Sequence, residues 1–263
     1  MRNLTGKVAW ITGAGTGMGR AAAISLADAG MKIALSGRRI DKLEEVAALI
    51  GQENALVVPL DVTDQAAVVT AATHIEATLG NVDILVNSAG TNTLKRYWRD
   101  QAIAEFDQVM AINLSGAFYC CQAVLDGMRS RRDGLIINIS SWAGRYHAMM
   151  SGPAYNASKA GMNWMNENLN IEDGENGIRS CAINPGEVAT DILNNRPVPV
   201  PQEERDKMVQ LEEIGEIIRF IAALPAHVCI NDLTVSPTWN RAHVGTVPKP
   251  PDPDLNRGQY TIK

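Results

Sequence analysis

The chain has 263 residues, 46% apolar and 20% charged, the balance of a soluble globular protein with a sizeable core. A net charge of −5 argues against a nucleic-acid partner, and the one strongly basic run, Arg129-Ser130-Arg131-Arg132, suits the negative end of a helix dipole. Residues 1–7 lack the apolar run of a signal peptide, and no stretch is expected to reach the ~20 apolar residues of a membrane span, which predicts a cytoplasmic protein with no membrane contact.

Short β-rich runs alternate with longer segments of helical period. Residues 8–12 form a compact apolar strand, followed by glycines and a helix over 18–29. A strand over 32–36 precedes a helix over 40–50, whose Leu43, Val46, Ala47 and Ile50 share one face. The pattern repeats as strand 55–58, helix 65–79, strand 83–87 and a long helical region over 103–128. Residues 135–139 read as the clearest buried strand; a helix and a strand over 178–183 follow. Strands alternating with helices imply βαβ units and a parallel sheet covered on both faces. Six or seven strands in one run predict a single doubly wound α/β (Rossmann) domain of about seven strands over residues 1–245. Residues 246–263, rich in proline and poor in apolar groups, predict an extended tail. The proline-rich stretch 194–201 stands where a substrate-covering loop would serve.

The four cysteines (Cys120, Cys121, Cys181 and Cys229) form no CxxC, and no His/Cys cluster has zinc spacing. No metal is expected, and Cys120 and Cys121 read as small core residues of a protein from a reducing compartment.

Directly after the first strand comes Thr12-Gly13-Ala14-Gly15-Thr16-Gly17-Met18-Gly19. Glycines there let the backbone approach a pyrophosphate, and the free N–H groups of the next helix bind the anion. A nucleotide site is favoured over a structural turn. The end of the second strand, Ser36-Gly37-Arg38-Arg39, holds cations and no acid until Asp41. Arg38 therefore favours NADP over NAD, the alternative being that both arginines are solvated loop residues.

Tyr155 and Lys159 lie four residues apart, on one face of a helix. A nearby ammonium favours the phenolate, so a tyrosine with an ordinary pKa of about 10 becomes useful as an acid or base near neutrality. The same spacing on an exposed helix is more often only solvated.

The glycine turn, Asn87-Ser88-Ala89-Gly90, Asn113, Ser141, Tyr155, Lys159 and the segment from Pro185 and Gly186 to Thr190 occur in one order at compatible spacings. Together they resemble the short-chain dehydrogenase/reductase family, from about Lys7 to Trp239. The resemblance implies hydride transfer between a nicotinamide and a small alcohol or carbonyl substrate, such as a hydroxy acid, a sugar or a cyclic alcohol. It gives catalytic roles to Asn113, Ser141, Tyr155 and Lys159. Thr12, Gly13, Gly15, Thr16, Gly17, Met18 and Gly19 would shape the cofactor turn, and Asp61 and Val62 would contact the adenine. Asn87 would stabilise the central strand and line the cleft, with Ala89 and Gly90 passing the ribose. Pro185 and Gly186 would lie against the nicotinamide, with Val188 and Thr190 near its carboxamide. Asn113 would kink its helix and order a water in a proton relay. It also implies a homodimer or homotetramer. The family's serine precedes the tyrosine by thirteen positions, which here falls on Trp142. The strand-end pattern aligns Ser141 instead, with one extra residue before Tyr155, and leaves Ser140 open. The ending of the chain, through Leu233-Thr234-Val235-Ser236-Pro237, is similar to that of NADP-dependent serine and 3-hydroxy acid dehydrogenases. A silent NADP(H)-binding sensor on the same fold is the non-enzymatic alternative, and its expected mark, loss of the tyrosine or lysine, is absent. His147, Tyr146, Lys95, Arg96, Arg99 and Arg196 are candidate substrate contacts or ordinary loop residues.

Overall fold

The strand segments are apolar because they are covered on both sides. Val8–Thr12 (β1), Gly134–Ile139 (β5) and Ile178–Pro185 (β6) are buried at every position. With Lys32–Gly37 (β2), Ala55–Pro59 (β3), Val82–Asn87 (β4) and Asp232–Val235 (β7) they form a parallel sheet in the order β3-β2-β1-β4-β5-β6-β7. The computed structural model describes residues 1–146, 148–190, 193 and 200–240; the tail expected over 246–263, His147 and Arg196 lie outside them.

The helices are α1 (Gly17–Asp28), α2 (Ile40–Ile50), α3 (Gln65–Leu79), α4 (Ile103–Met110), α5 (Gly116–Arg131), α6 (Trp142–Arg145), α7 (Pro153–Asp173), α8 (Gln202–Arg205) and α9 (Leu211–Ala222). Side chains of a strand alternate between faces, so β1 feeds two cores. Ala9 and Ile11 pack with Leu26 of α1, Leu43 and Val46 of α2, and Ile214 and Ile218 of α9. Val8 and Trp10 pack with Val68 and Ile75 of α3 and Val124 and Met128 of α5. Trp10 satisfies its indole N–H on Ser36 Oγ at 2.9 Å, which lets the largest side chain of the strand be fully buried.

The sheet is the doubly wound one expected. The long helical region is not a single α-helix: residues 111–115 widen into a π-turn, where the Gly116 N–H reaches Ala111 O rather than the carbonyl of Ile112. The stretch 103–131 is, by length and composition, apolar enough to cross a membrane, which corrects the expectation that no segment qualifies. Half of its apolar window is buried inside the domain. The basic run closes α5 as expected: Arg129 and Arg131 occupy the last turn, and Arg132 caps it in the left-handed region at φ 53°. Cys120, Cys121 and Cys181 are buried and Cys229 is exposed.

Candidate active site

The strand order reverses direction between β1 and β4, and a ligand crevice opens beyond the carboxyl ends of strands at such a point. The turn after β1 and the segment after β4 meet there closely. A Cβ on Gly13 would lie 2.8 Å from both Ala89 N and Ser88 O, and one on Gly19 would lie 2.4 Å from Gly13 O. Only glycine permits this approach of backbone to backbone. Thr12 ties the two segments together, its Oγ1 accepting the Ser88 and Ala89 N–H groups at 3.2 Å each.

A cleft of about 300 Å³ lies along this junction. Of the residues singled out from sequence, Gly13, Gly15, Thr16, Gly17, Met18, Arg38, Asp61, Val62, Ala89, Gly90, Tyr155, Lys159 and Thr190 border it. Thr12, Gly19, Asn113, Ser141, Pro185, Gly186 and Val188 do not border it. Asn87 was expected to line the cleft and does not. It is still part of β4, and its side chain is buried beside the sheet, where Nδ2 donates to Asn138 Oδ1 at 2.9 Å. Val188 is held in a short parallel bridge to Val209.

Several wall residues were not assigned from sequence, among them Arg39, Leu60, Thr91, Ile112 and Ile139, while Ser140, left open there, also borders the cleft. Arg39 is exposed beside Arg38, and its Nη2 donates to Thr16 Oγ1 at 3.1 Å, which bridges the ends of β1 and β2. The cationic pair next to Thr16 was visible in the sequence; which arginine would reach across was not. Asp61 is held below the usual carboxylate range, chiefly by the Thr63 backbone N–H and further by the Thr63 hydroxyl and the Arg38 charge.

Across the cleft, α7 starts with Pro153 at its first turn and presents Tyr155 and Lys159 on one face. Lys159 is buried; its Nζ lies 5.8 Å from the centre of the Tyr155 ring and donates to Ile139 O at 2.7 Å. Desolvation pulls its pKa down to about 8. Asn113, within the π-turn, is fully buried and staples the surroundings. Its Oδ1 accepts the Thr91 N–H at 2.8 Å, and its Nδ2 donates to Thr91 O at 3.0 Å and to Ser158 Oγ at 3.1 Å.

The two serines at the end of β5 differ in what their hydroxyls do. Ser140 borders the cleft, yet its buried hydroxyl donates to Lys159 O at 3.0 Å. Ser141 is the N-cap of α6, its Oγ accepting the Ala143 N–H at 3.1 Å, and it is only partly buried. Between Ser141 and Tyr155 lie α6, the loop that follows it and the first turn of α7. The turn in that loop is a short 3-10 segment, Met149–Ser151.

A family model described as short chain dehydrogenase matches residues 7–198. An uncharacterized oxidoreductase of Staphylococcus aureus (strain N315) is 35% identical over 237 residues, covering 90% of this chain and all of the relative. Among solved structures, the closed form of serine dehydrogenase complexed with NADP+ superposes with a TM-score of 0.80 at 30% identity, covering 88% of this chain and 94% of that one. A structure described as ribose-5-phosphate isomerase from Brucella melitensis is similar too, with a TM-score of 0.80 at 34% identity, covering 89% of this chain and 91% of that one. The similarity therefore extends to a protein named for an isomerisation, and the reaction has to be argued from the residues of the site.

Proposed function

The chain belongs to the short-chain dehydrogenase family, and from that premise we propose that it interconverts a small alcohol and its carbonyl compound with NADP(H), Tyr155 serving as the general acid/base. The observation that carries this reading is the buried Lys159 ammonium, 5.8 Å from the Tyr155 ring on the wall of a cleft whose opposite wall is the glycine turn. The glycine turn fits a dinucleotide, because Gly13, Gly15 and Gly17 border the cleft at the start of α1, whose free N–H groups suit a pyrophosphate. Arg38 and Arg39 fit a 2′-phosphate, and the NADP+ bound by the similar serine dehydrogenase supports that choice over NAD.

When bound, the nicotinamide supplies or accepts the hydride. In reduction, Tyr155 gives its proton to the carbonyl oxygen as that oxygen gains charge, and in oxidation it takes the proton back. Lys159 favours the phenolate that remains. Ser141 is the better candidate to hold the substrate oxygen, because the Ser140 hydroxyl is committed to Lys159 O while the Ser141 cap uses only an oxygen lone pair. Asn113, its side chain committed to Thr91 and Ser158, serves the proton path through the widened backbone of the π-turn. The apolar side chains that α5 and α7 leave exposed (Phe118, Trp164 and Ile171) suit a homodimer or homotetramer.

The test is initial rates with NADPH and NADH against keto acids, ketoses and cyclic ketones, for wild type and Tyr155→Phe. Loss of the general acid should cost about 10²–10⁴-fold in turnover while NADPH affinity stays. Near-wild-type turnover by Tyr155→Phe would exclude the mechanism. Tight NADPH binding with no turnover of any panel member would favour the sensor instead.

A further inference from the structure

We propose that Arg145 and Asp232 act as positioning residues that hold the Ser141 turn in register with Tyr155; this rests on the catalytic reading above. Ser141 caps a helix of only four residues, and a single turn has too few internal hydrogen bonds to fix itself. The stretch up to Tyr155 carries one residue more than the family's spacing, so the covalent path from Ser141 to Tyr155 does not set their separation. Something outside that path has to.

Four side chains supply the connection. Arg145, the last residue of α6, sets both Nε and Nη2 2.9 Å from Asp232 Oδ2 at the start of β7. The same Oδ2 accepts Asn184 Nδ2 at 2.7 Å, and Asn184 Oδ1 accepts Asn163 Nδ2 at 2.9 Å. Asn163 lies one turn beyond Lys159 on α7. The chain therefore runs from the serine turn through β7 and β6 to the helix that bears Tyr155. At the other end of α6, the Ser140 hydroxyl donates to Lys159 O. Between them, Gly144 lets the turn lie against the Lys159 backbone, where a Cβ would stand 2.8 Å from its carbonyl. Fixed at both ends and pressed at the middle, α6 has one position relative to α7. The Arg145 side chain is 41% exposed, and an ion pair this open adds little to global stability. Its loss should therefore move Ser141 without unfolding the protein.

The experiment compares wild type, Arg145→Met, Asp232→Ala, the double variant and Asp232→Glu. Kinetics use NADPH with butane-2,3-dione as the probe carbonyl, and crystal structures report the Ser141 Oγ to Tyr155 Oη separation. Expected are a roughly 10- to 100-fold loss in kcat for each single variant and an unchanged NADPH Kd, with an unchanged Tm for Arg145→Met, which leaves the Asn184 amide its acceptor on Asp232. The double variant should lose no more than either single one, because both break the same link. Asp232→Glu should recover most of the rate. In the crystal, Ser141 should shift or split into two positions. An unmoved Ser141 in Asp232→Ala, or additive losses in the double variant, would overturn the proposal. If wild type reduces no carbonyl at all, the catalytic reading fails, and the crystallographic comparison still decides whether this link holds the turn.

Discussion

Lys159 is where the physics of one residue constrains the reaction most. Its charge favours the Tyr155 phenolate, yet burial weakens its own hold on a proton, to a pKa of about 8. Below that value the ammonium is charged and supports Tyr155; above it the ammonium is lost and the support goes with it. The value of kcat/KM reports the free enzyme, so its pH profile in the reducing direction should fall with a midpoint near pH 8. Lys159→Arg keeps a charge that does not titrate in this range, and its profile should extend to higher pH even if its maximum is lower. A falling limb that stays near pH 8 in Lys159→Arg would assign that limb to another group. The prediction rests on the desolvation of a buried base, so it does not depend on which alcohol is the substrate.

At the scale of elements, the interruption between α4 and α5 matters more than either helix. Regular hydrogen bonding would carry one helix from 103 to 131; the π-turn instead turns Asn113 toward Thr91 and Ser158, joining the segment after β4 to α7. Asn113→Ala leaves the Thr91 N–H and C=O without these partners, at a cost of about 1–3 kcal/mol. Urea denaturation should show that loss, together with weaker NADPH binding, because Thr91 borders the cleft. Unchanged stability would mean that the staple contributes nothing. Much of this was legible in the sequence. The alternation of β-rich and helical segments placed six strands to within one or two residues and predicted the doubly wound sheet. The glycine turn and the Tyr155/Lys159 spacing are local patterns, and local patterns survive into the structure. What escaped was non-local. The side chain of Asn87 turns away from the cleft because β4 extends through it, and Arg39 reaches Thr16 because two strand ends lie side by side. Helix α9 lies outside the expected elements, although Ile214, Ile218 and Ile221 have the helical spacing and the Glu213 carboxylate accepts the Gln210 N–H at the helix start.

Over the whole molecule, the two ends of the sheet do different work. The carboxyl ends of the strands carry the cleft, while the opposite end is closed by charge. Arg2 donates to Asp133 through both terminal nitrogens, Lys7 reaches Asp83 Oδ1 at 3.1 Å, and the Arg2 N–H donates to Ala223 O at 2.6 Å. The N-terminal segment is thereby tied to the start of β5 and to the end of α9, elements far apart in sequence. Asp133 is held below the ordinary carboxylate value of 3.8, first by the Arg2 hydrogen bonds and then by the charges of Arg2, Lys7 and Arg179. A carboxylate whose folded pKa is depressed contributes stability above its unfolded pKa and loses it as pH falls through the folded value. In Asp133→Asn that contribution is gone at every pH. Urea midpoints measured from pH 7 downward should therefore show a constant gap between wild type and variant above about pH 5, narrowing steadily below about pH 4. A gap that persists unchanged to pH 2 would mean that Asp133 acts there through packing, and that charge does not close this end of the sheet.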